Sequence, residues 1–195
     1  MKNIGILLYE DAEELDYVGP WEVFKMAAMQ LEGLNVFTVA EREGPIRSAN
    51  GLRVLPDYTF DDAPPLDVVL VPGGQGTRTE ANNQVLLDWL AKASEPCTWV
   101  TSVCTGSMLL HAAGPAQGRR ITTHWGFIDA LREMAPDAEV VTDTRWIADG
   151  NVVTAAGVSA GIDMALWLTG QIWGVDLARS TQKLMEYDPA PPYSE

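Results

Sequence analysis

Cysteine, histidine and positive charge are all scarce in this chain of 195 residues. Two cysteines are too few for the disulfide framework of a small secreted protein. The two histidines have no partners at metal-ligand spacing, so we assign no metal. Asp and Glu number 27 against 13 Lys and Arg, and the formal net charge of −14 repels phosphate backbones. We therefore expect no nucleic-acid partner.

Membrane spans, linkers and repeats are missing as well. No apolar run approaches the length of a membrane span, and the short start before the first apolar run does not resemble a secretory signal. We expect a soluble, cytoplasmic protein with reduced thiols. Cys97 and Cys104 flank one predicted strand, about 23 Å apart, which is too far for a disulfide. The length predicts one domain, placed at residues 1–187, with a Pro-rich extended tail at 188–195.

Apolar strands and amphipathic helices alternate along the chain, which is typical of a mostly parallel sheet covered on both faces. Ligand sites of such α/β folds lie beyond the carboxyl ends of the strands. The segments 9–16 and 72–76, Cys104 and His124 all follow predicted strand ends, so we expect them to meet in one crevice. The predicted strands are 3–9, 34–41, 67–71, 98–103, 120–123, near 140 and 152–155, with a hairpin within 44–60; the helices are 20–31, 82–93, from 107, 127–134, 160–173 and 176–187.

Cys104 ends an apolar, β-branched run and is followed at once by small residues that begin a helix. A side chain at such a strand-to-helix turn projects from the sheet, as the serine does in a nucleophile elbow. It also faces the unpaired N–H groups at the start of the helix, which favour loss of the thiol proton. Cys104 is therefore the predicted nucleophile, and an inert buried thiol is the alternative.

Asp16 is placed in the loop between the first strand and the first helix. Two negative groups in contact disfavour double ionisation, so we expect Asp16 and Cys104 to share one proton. The resting pair would be a protonated carboxyl that donates to a thiolate, and an ordinary exposed acid is the alternative.

A glycine-rich segment and several aromatic residues supply the predicted substrate-binding groups. Glycines after a buried strand let the backbone approach a ligand and offer N–H groups to developing charge, although a plain turn needs them too. A histidine after a strand end and two tryptophans near the site loops are placed to orient a substrate or to wall an apolar pocket, with structural roles as the alternative. These candidates are Gly73, Gly74, His124, Trp125 and Trp21.

Six motifs run through nearly the whole chain. They are LDxxGP at 15–20, LDxxxxPGG at 66–74, TSVCTGS at 101–107, GRRxTTHW at 118–125, AGIDxAL at 160–166 and EYxPAPP at 186–192. In this order they resemble the ThiJ/PfpI superfamily, which is related to class I glutamine amidotransferases, and within it the isonitrile (isocyanide) hydratases.

The resemblance implies a flavodoxin-like three-layer sandwich with Cys104 at a nucleophile elbow, no cofactor and a homodimer. An aspartate near the cysteine, as Asp16 is here, is typical of the hydratase-like branch. Superfamily proteases place a histidine directly after the cysteine, where this chain has Thr105. The same Cys-Thr-Gly pattern occurs in sensor domains joined to AraC-type DNA-binding helices, for which we expect no room after Tyr187.

The expected activity is hydration of isocyanides, small-molecule substrates, to N-substituted formamides. Cys104 would form a thioimidate adduct, with Asp16 as general acid and base and Thr105 orienting the reacting groups. One alternative is a glyoxalase- or deglycase-type enzyme that uses the same thiolate on small carbonyl compounds. Another is a redox- or ligand-sensing stress protein in which Cys104 oxidises reversibly. A family fold that has lost its activity is the third.

Overall fold

The structure is a computed structural model that describes residues 2–189 of the chain. The predicted tail at 188–195 lies outside the described residues from position 190 onward. The strands are β1 (Lys2–Leu8), β2 (Leu34–Ala40), β3 (Ile46–Arg47), β4 (Arg53–Val54), β5 (Tyr58–Thr59), β6 (Val68–Val71), β7 (Trp99–Val103), β8 (Arg120–Ile121), β9 (Glu139–Val140), β10 (Trp146–Asp149) and β11 (Val152–Ala155). The α-helices are α1 (Glu14–Ala28), α2 (Thr77–Glu80), α3 (Gln84–Ser94), α4 (Gly106–Ala113), α5 (Ile128–Met134), α6 (Ala160–Trp173) and α7 (Val175–Leu184), and a 3₁₀ turn spans Trp125–Phe127.

Seven strands form one sheet in the order β10-β11-β7-β6-β1-β2-β5, in which only β10 is antiparallel to its neighbour. Strands β1 and β6 are rich in Val, Ile and Leu and are buried over most of their length, as strands covered on both faces must be. Helices α1, α6 and α7 pack together over one face, and α3 and α4 pack over the other. The predicted flavodoxin-like α/β sandwich is therefore confirmed.

Helix α1 differs from the sequence prediction, and the difference matters for the site. It begins at Glu14 rather than at Pro20, so Pro20 lies inside the helix and Asp16 lies in its first turn instead of in a loop. Proline favours the first turn of a helix, which explains the late predicted start. Acidic side chains also favour that turn, because they interact well with the positive end of the helix dipole.

Two glycines let α1 pack closely on α6, and α6 on the end of β7. A Cβ at Gly19 would stand 2.9 Å from the Ile162 side chain, and one at Gly161 would stand 2.9 Å from Val103. A larger residue at Gly19 would push α1 away from α6, and one at Gly161 would push α6 away from the end of β7. This close packing holds the first turn of α1 over the residue that follows β7, which is Cys104.

The other differences lie at the margin of the sheet. The sequence prediction missed β10, the antiparallel edge strand, and the short helix α2. Strand β8 ends at Ile121 and pairs with β9 in a separate ribbon rather than joining the main sheet. Edge elements carry weak apolar patterns because only part of their surface is covered.

Candidate active site

Cys104 occupies a strained elbow between β7 and α4. Its φ of +54° lies in the left-handed region that non-glycine residues rarely adopt. Its N–H donates to the carbonyls of Ala155 and Ala156 at 3.1 and 3.0 Å. Its own carbonyl accepts the Thr123 hydroxyl at 2.9 Å and the Ser107 hydroxyl at 3.3 Å. The backbone is thus fixed from both sides, which is what keeps an unfavourable conformation in place.

Asp16 is completely buried and faces the elbow from the first turn of α1. Its Oδ2 accepts the Gly73 N–H at 2.8 Å, while Oδ1 has no hydrogen-bond partner among the described residues. Burial raises the pKa of Asp16 to about 7, and the negative charge of Glu13 adds to this shift. The Gly73 N–H and the Cys104 thiol work in the opposite direction, because they stabilise the carboxylate.

The Cys104 thiol is not the readily ionised group that the elbow position suggested. Only 6% of the residue is exposed, and burial raises the pKa of the thiol to about 12. The negative charge of Asp16 raises this pKa further, while hydrogen bonds from Thr105 and from the Val158 N–H lower it. Desolvation therefore outweighs the effect of the helix N-terminus, and that part of the prediction is wrong. Because the pKa of Asp16 is about 7 and that of Cys104 is about 12, the pair keeps one proton above neutral pH, and this proton lies mainly on the thiol. The predicted resting pair of a protonated carboxyl and a thiolate is therefore wrong, and the thiolate is the minor form.

The loop after β6 is pressed against this pair. A Cβ at Gly73 would stand 2.5 Å from the Thr105 backbone nitrogen and 2.9 Å from Asp16 Oδ2, so only glycine fits there. Gly74 has a φ of +120° and donates its N–H to the Thr105 hydroxyl at 3.0 Å. That hydroxyl also lies 3.2 Å from the hydroxyl of Thr77. Thr105 thus fixes the loop, and the Gly74 N–H predicted to hold an intermediate already has a partner.

Val158 is the site residue that the sequence did not reveal. It follows β11 and has a φ of +45°, which is strained for a β-branched side chain. Its N–H lowers the pKa of both the Asp16 carboxyl and the Cys104 thiol, because it stabilises their charged forms. Its position in the sequence could have identified it, because Val158 lies just beyond the end of a predicted strand, as the other site residues do.

His124 lies next to the segment that follows β11, which contains Val158, rather than against Asp16 and Cys104. Its Nδ1 accepts the Gly126 N–H at 3.1 Å, so the proton of a neutral ring sits on Nε2. The ring packs on Gly157, where a Cβ would stand 2.2 Å from the imidazole Cδ2. Gly157 directly precedes Val158. The His124 ring therefore contacts the residue next to Val158.

The two tryptophans take different positions. Trp125 is 83% exposed and, with Thr123 and Ala156, lines a cavity of about 450 Å³ behind the elbow. Trp21 is half-buried, and its aromatic contact is with the Lys25 ammonium, 5.5 Å from the ring centroid. Substrate contacts of either residue remain predictions.

Within residues 2–189, no group of three or more His, Cys, Asp or Glu side chains is arranged to hold a metal ion. In the same part of the chain, no helix combines the length and the apolar character needed to cross a membrane.

The fold and the site define a class of protein: an α/β sandwich with a buried cysteine at a strand-to-helix elbow, beside a buried carboxyl. The DJ-1/PfpI family model matches residues 2–171, so the chain belongs to this family. The resemblance seen in the motifs is confirmed.

The relatives differ in what they do. The chain is 40% identical to the isonitrile hydratase of Pseudomonas putida over 191 residues. These residues are 98% of this chain and 81% of that protein. It is 29% identical to the HTH-type transcriptional regulator GbdR of Pseudomonas aeruginosa, over 96% of this chain but 51% of the regulator. The crystal structure of a ThiJ/PfpI family protein from Pseudomonas syringae matches with a TM-score of 0.91 at 35% identity, over 98% of this chain and 77% of that one.

Proposed function

We propose that this protein is a cysteine-dependent hydratase that converts isocyanides to N-substituted formamides without a cofactor. The observation that carries the proposal is the Asp16–Cys104 pair, which is buried and whose carboxyl accepts the Gly73 N–H at 2.8 Å. The Val158 N–H lowers the pKa of both groups, and Thr105 lowers that of the thiol, because they stabilise the charged forms. The 40% identity to an isonitrile hydratase over 98% of the chain supports the same reaction class.

The narrow access to the sulfur suits this substrate. Cys104 is 6% exposed, so a bulky carbonyl centre has little room to approach it. The carbon of an isocyanide is terminal and carries no substituent besides the nitrogen, and the group is uncharged. It can therefore reach a buried sulfur without bringing a charge that would need solvation.

The first step uses the thiolate form of Cys104 with Asp16 protonated. The raised pKa of Asp16 makes its carboxylate a better acceptor for the thiol proton than an exposed aspartate. The sulfur attacks the terminal carbon and forms a C–S bond, and Asp16 gives its proton to that carbon. The product is a thioimidate on Cys104, and Asp16 is left as a carboxylate.

Water completes the reaction. The Asp16 carboxylate takes one proton from water as its oxygen adds to the thioimidate carbon, and it passes this proton to the nitrogen. The hydroxyl proton then returns to Asp16 while the C–S bond breaks and its electron pair goes back to sulfur. One water has been added, the formamide leaves, and the starting pair is restored. The Thr105 and Val158 N–H groups stabilise the negative sulfur.

Formamide production from an aliphatic isocyanide, measured with reduced protein, tests the proposal. Cys104→Ala should abolish turnover, while Cys97→Ala is the matched control, because Cys97 is the other buried thiol and lies just before β7. Methylglyoxal consumption without formamide would instead indicate carbonyl chemistry. Reversible Cys104 oxidation without either turnover would indicate a redox sensor.

The proposal includes the partner and the location. The net charge of −14 favours a small uncharged substrate over nucleic acid, and two free thiols suit the cytoplasm. We propose a homodimer, because Leu15 and Val18, which flank the buried Asp16 along α1, expose apolar side chains, as Trp125 does. Sedimentation equilibrium tests the oligomeric state, and a monomer at micromolar concentration would contradict it.

A further inference from the structure

A single peptide group connects Asp16 to a buried tyrosine on the opposite side of the loop after β6. The Tyr9 hydroxyl donates to the Pro72 carbonyl at 2.6 Å and lies 3.0 Å from the Gly73 carbonyl. The N–H of the same Pro72–Gly73 peptide donates to Asp16 Oδ2 at 2.8 Å. Tyr9 O–H, the peptide and the carboxyl thus form one continuous hydrogen-bonded chain.

This chain has two physical consequences. A peptide is planar and trans, so holding the Pro72 carbonyl in one direction also aims the Gly73 N–H in the opposite direction, at Asp16. A donor on the carbonyl oxygen also polarises the peptide and makes its N–H a stronger donor. Tyr9 is 4% exposed, so water does not readily replace its hydroxyl.

We propose that Tyr9 is a positioning residue for Asp16, which aims and strengthens the Gly73 N–H that stabilises the carboxylate. The inference deepens the proposed function, because it rests on the acid–base role given there to Asp16. It assigns the tyrosine no contact with the substrate. It affects the pH at which the Asp16–Cys104 pair gains or loses a proton.

The charged groups near this chain are few. Among the described residues, the charge of Glu13 at the start of α1 and a hydrogen bond from Cys104 at the elbow act on the Asp16 carboxyl, and Asp16 and Cys104 in turn act on Tyr9. Glu80 at the end of α2 acts on Tyr9. Burial and these neighbours raise the pKa of Tyr9 well above its usual value, so the phenol stays a donor throughout the range in which Asp16 titrates.

The test is the pH dependence of Cys104 alkylation by iodoacetamide, with Cys104→Ala as the blank. Once the pair has lost its first proton, the remaining proton can move from the sulfur to the Asp16 carboxylate, so a minor thiolate population, and with it the alkylation rate, rises with pH through that apparent pKa. Tyr9→Phe removes the hydroxyl but keeps the ring, and we expect this rise to move to higher pH by about 0.5 unit, because the carboxylate loses stabilisation. Asp16→Asn should remove this step from the profile.

The matched control is Tyr17→Phe. Tyr17 is also buried and directly follows Asp16, but its hydroxyl pairs with Ser48 at 2.6 Å, outside the chain. Its profile should coincide with that of the wild type. An unmoved profile for Tyr9→Phe, or an equal shift for Tyr17→Phe, would overturn the proposal even if both variants melt at lower temperature.

A second measurement avoids any loss of folding. Incorporation of 3-fluorotyrosine into the Tyr17→Phe protein makes the phenol a stronger donor, so the rise should move to lower pH. A shift in the other direction, or none, would contradict the proposal. Alkylation requires no isocyanide, so absence of formamide production would refute the proposed function and leave the Tyr9 result standing.

Discussion

The interior of the sheet and its carboxyl edge, where the parallel strands end, belong to the same strands but differ in how well their residues suit their backbone and surroundings. Inside, Ile4 and Val68 pair directly in the parallel register, and both are buried, apolar residues in extended backbone. At the edge, a few residues further along, Cys104 and Val158 adopt positive φ angles, and a carboxyl is buried without a cation. Almost every local preference is satisfied in the first region, and several are violated in the second.

This contrast shows where the free energy of unfolding is gained and where it is given up. Burial of apolar strands stabilises the fold, at roughly 25 cal/mol per Å² of apolar surface. Positive φ angles and a desolvated carboxyl each destabilise it by an amount on the order of 1–3 kcal/mol. The edge keeps this unfavourable arrangement because the interior holds it in place. Substitutions in the two regions should therefore change stability and activity in opposite ways.

The largest expected effect comes from Asp16→Asn. The amide keeps an acceptor for the Gly73 N–H but cannot exchange the proton, so kcat on isocyanides should fall by about 10²–10⁴-fold. Formamide production compared with the wild type measures this. If the variant keeps more than a tenth of the wild-type kcat, Asp16 is not the general acid and base.

Asp16→Asn should also be more stable than the wild type at alkaline pH. The pKa of Asp16 is raised to about 7 in the folded protein from 3.8, so the folded state binds more protons between these values. The contribution of Asp16 to stability therefore falls as pH rises through this window. We expect Asp16→Asn to melt several degrees above the wild type at pH 8, with the difference shrinking toward pH 4. A constant difference across this range would contradict the buried, shifted carboxyl.

Ile4→Ala, in the interior, should lower stability and leave activity unchanged, which is the reverse of the effect of Asp16→Asn. Ile4 is fully buried at the start of β1, far along the strand from the edge, and pairs with Val36 and Val68. Loss of three carbon atoms there should lower the free energy of unfolding by about 2–5 kcal/mol, because a cavity remains. Urea denaturation measures the loss, and kcat of the folded fraction should stay at the wild-type value. A loss of kcat at full folding would show that the two regions are coupled.

The sequence predicts the interior well for a physical reason. A strand buried on both faces must be apolar over its whole length, so β1, β2, β6, β7 and β11 stand out in one dimension. It also predicts that the ends of these strands converge, since neighbouring parallel strands share one carboxyl edge. This convergence predicts that Cys104 and Asp16 lie close together, and in the structure each acts on the pKa of the other.

The properties of the edge depend on three-dimensional balances that no local pattern contains. The elbow favours a thiolate and burial opposes it, and only the packing around Cys104 shows that burial dominates. The start of α1 was set too late because a proline at an interior helix position is rarer than one in the first turn. The strain at Val158 follows from the way β11 joins α6, so an ordinary valine in the sequence gave no sign of it.

The smallest expected effect compares two substitutions at Val158. Alanine normally stabilises a protein relative to glycine by about 0.5–1 kcal/mol, because glycine loses more backbone freedom on folding. At a φ of +45° this order should reverse, because alanine retains the clash of its Cβ with the backbone while glycine removes it. We expect Val158→Gly to exceed Val158→Ala in free energy of unfolding by about 1 kcal/mol, measured by urea denaturation. The normal order would mean that Val158 is not strained, and the contrast between edge and interior would then depend on Cys104 and Asp16 alone.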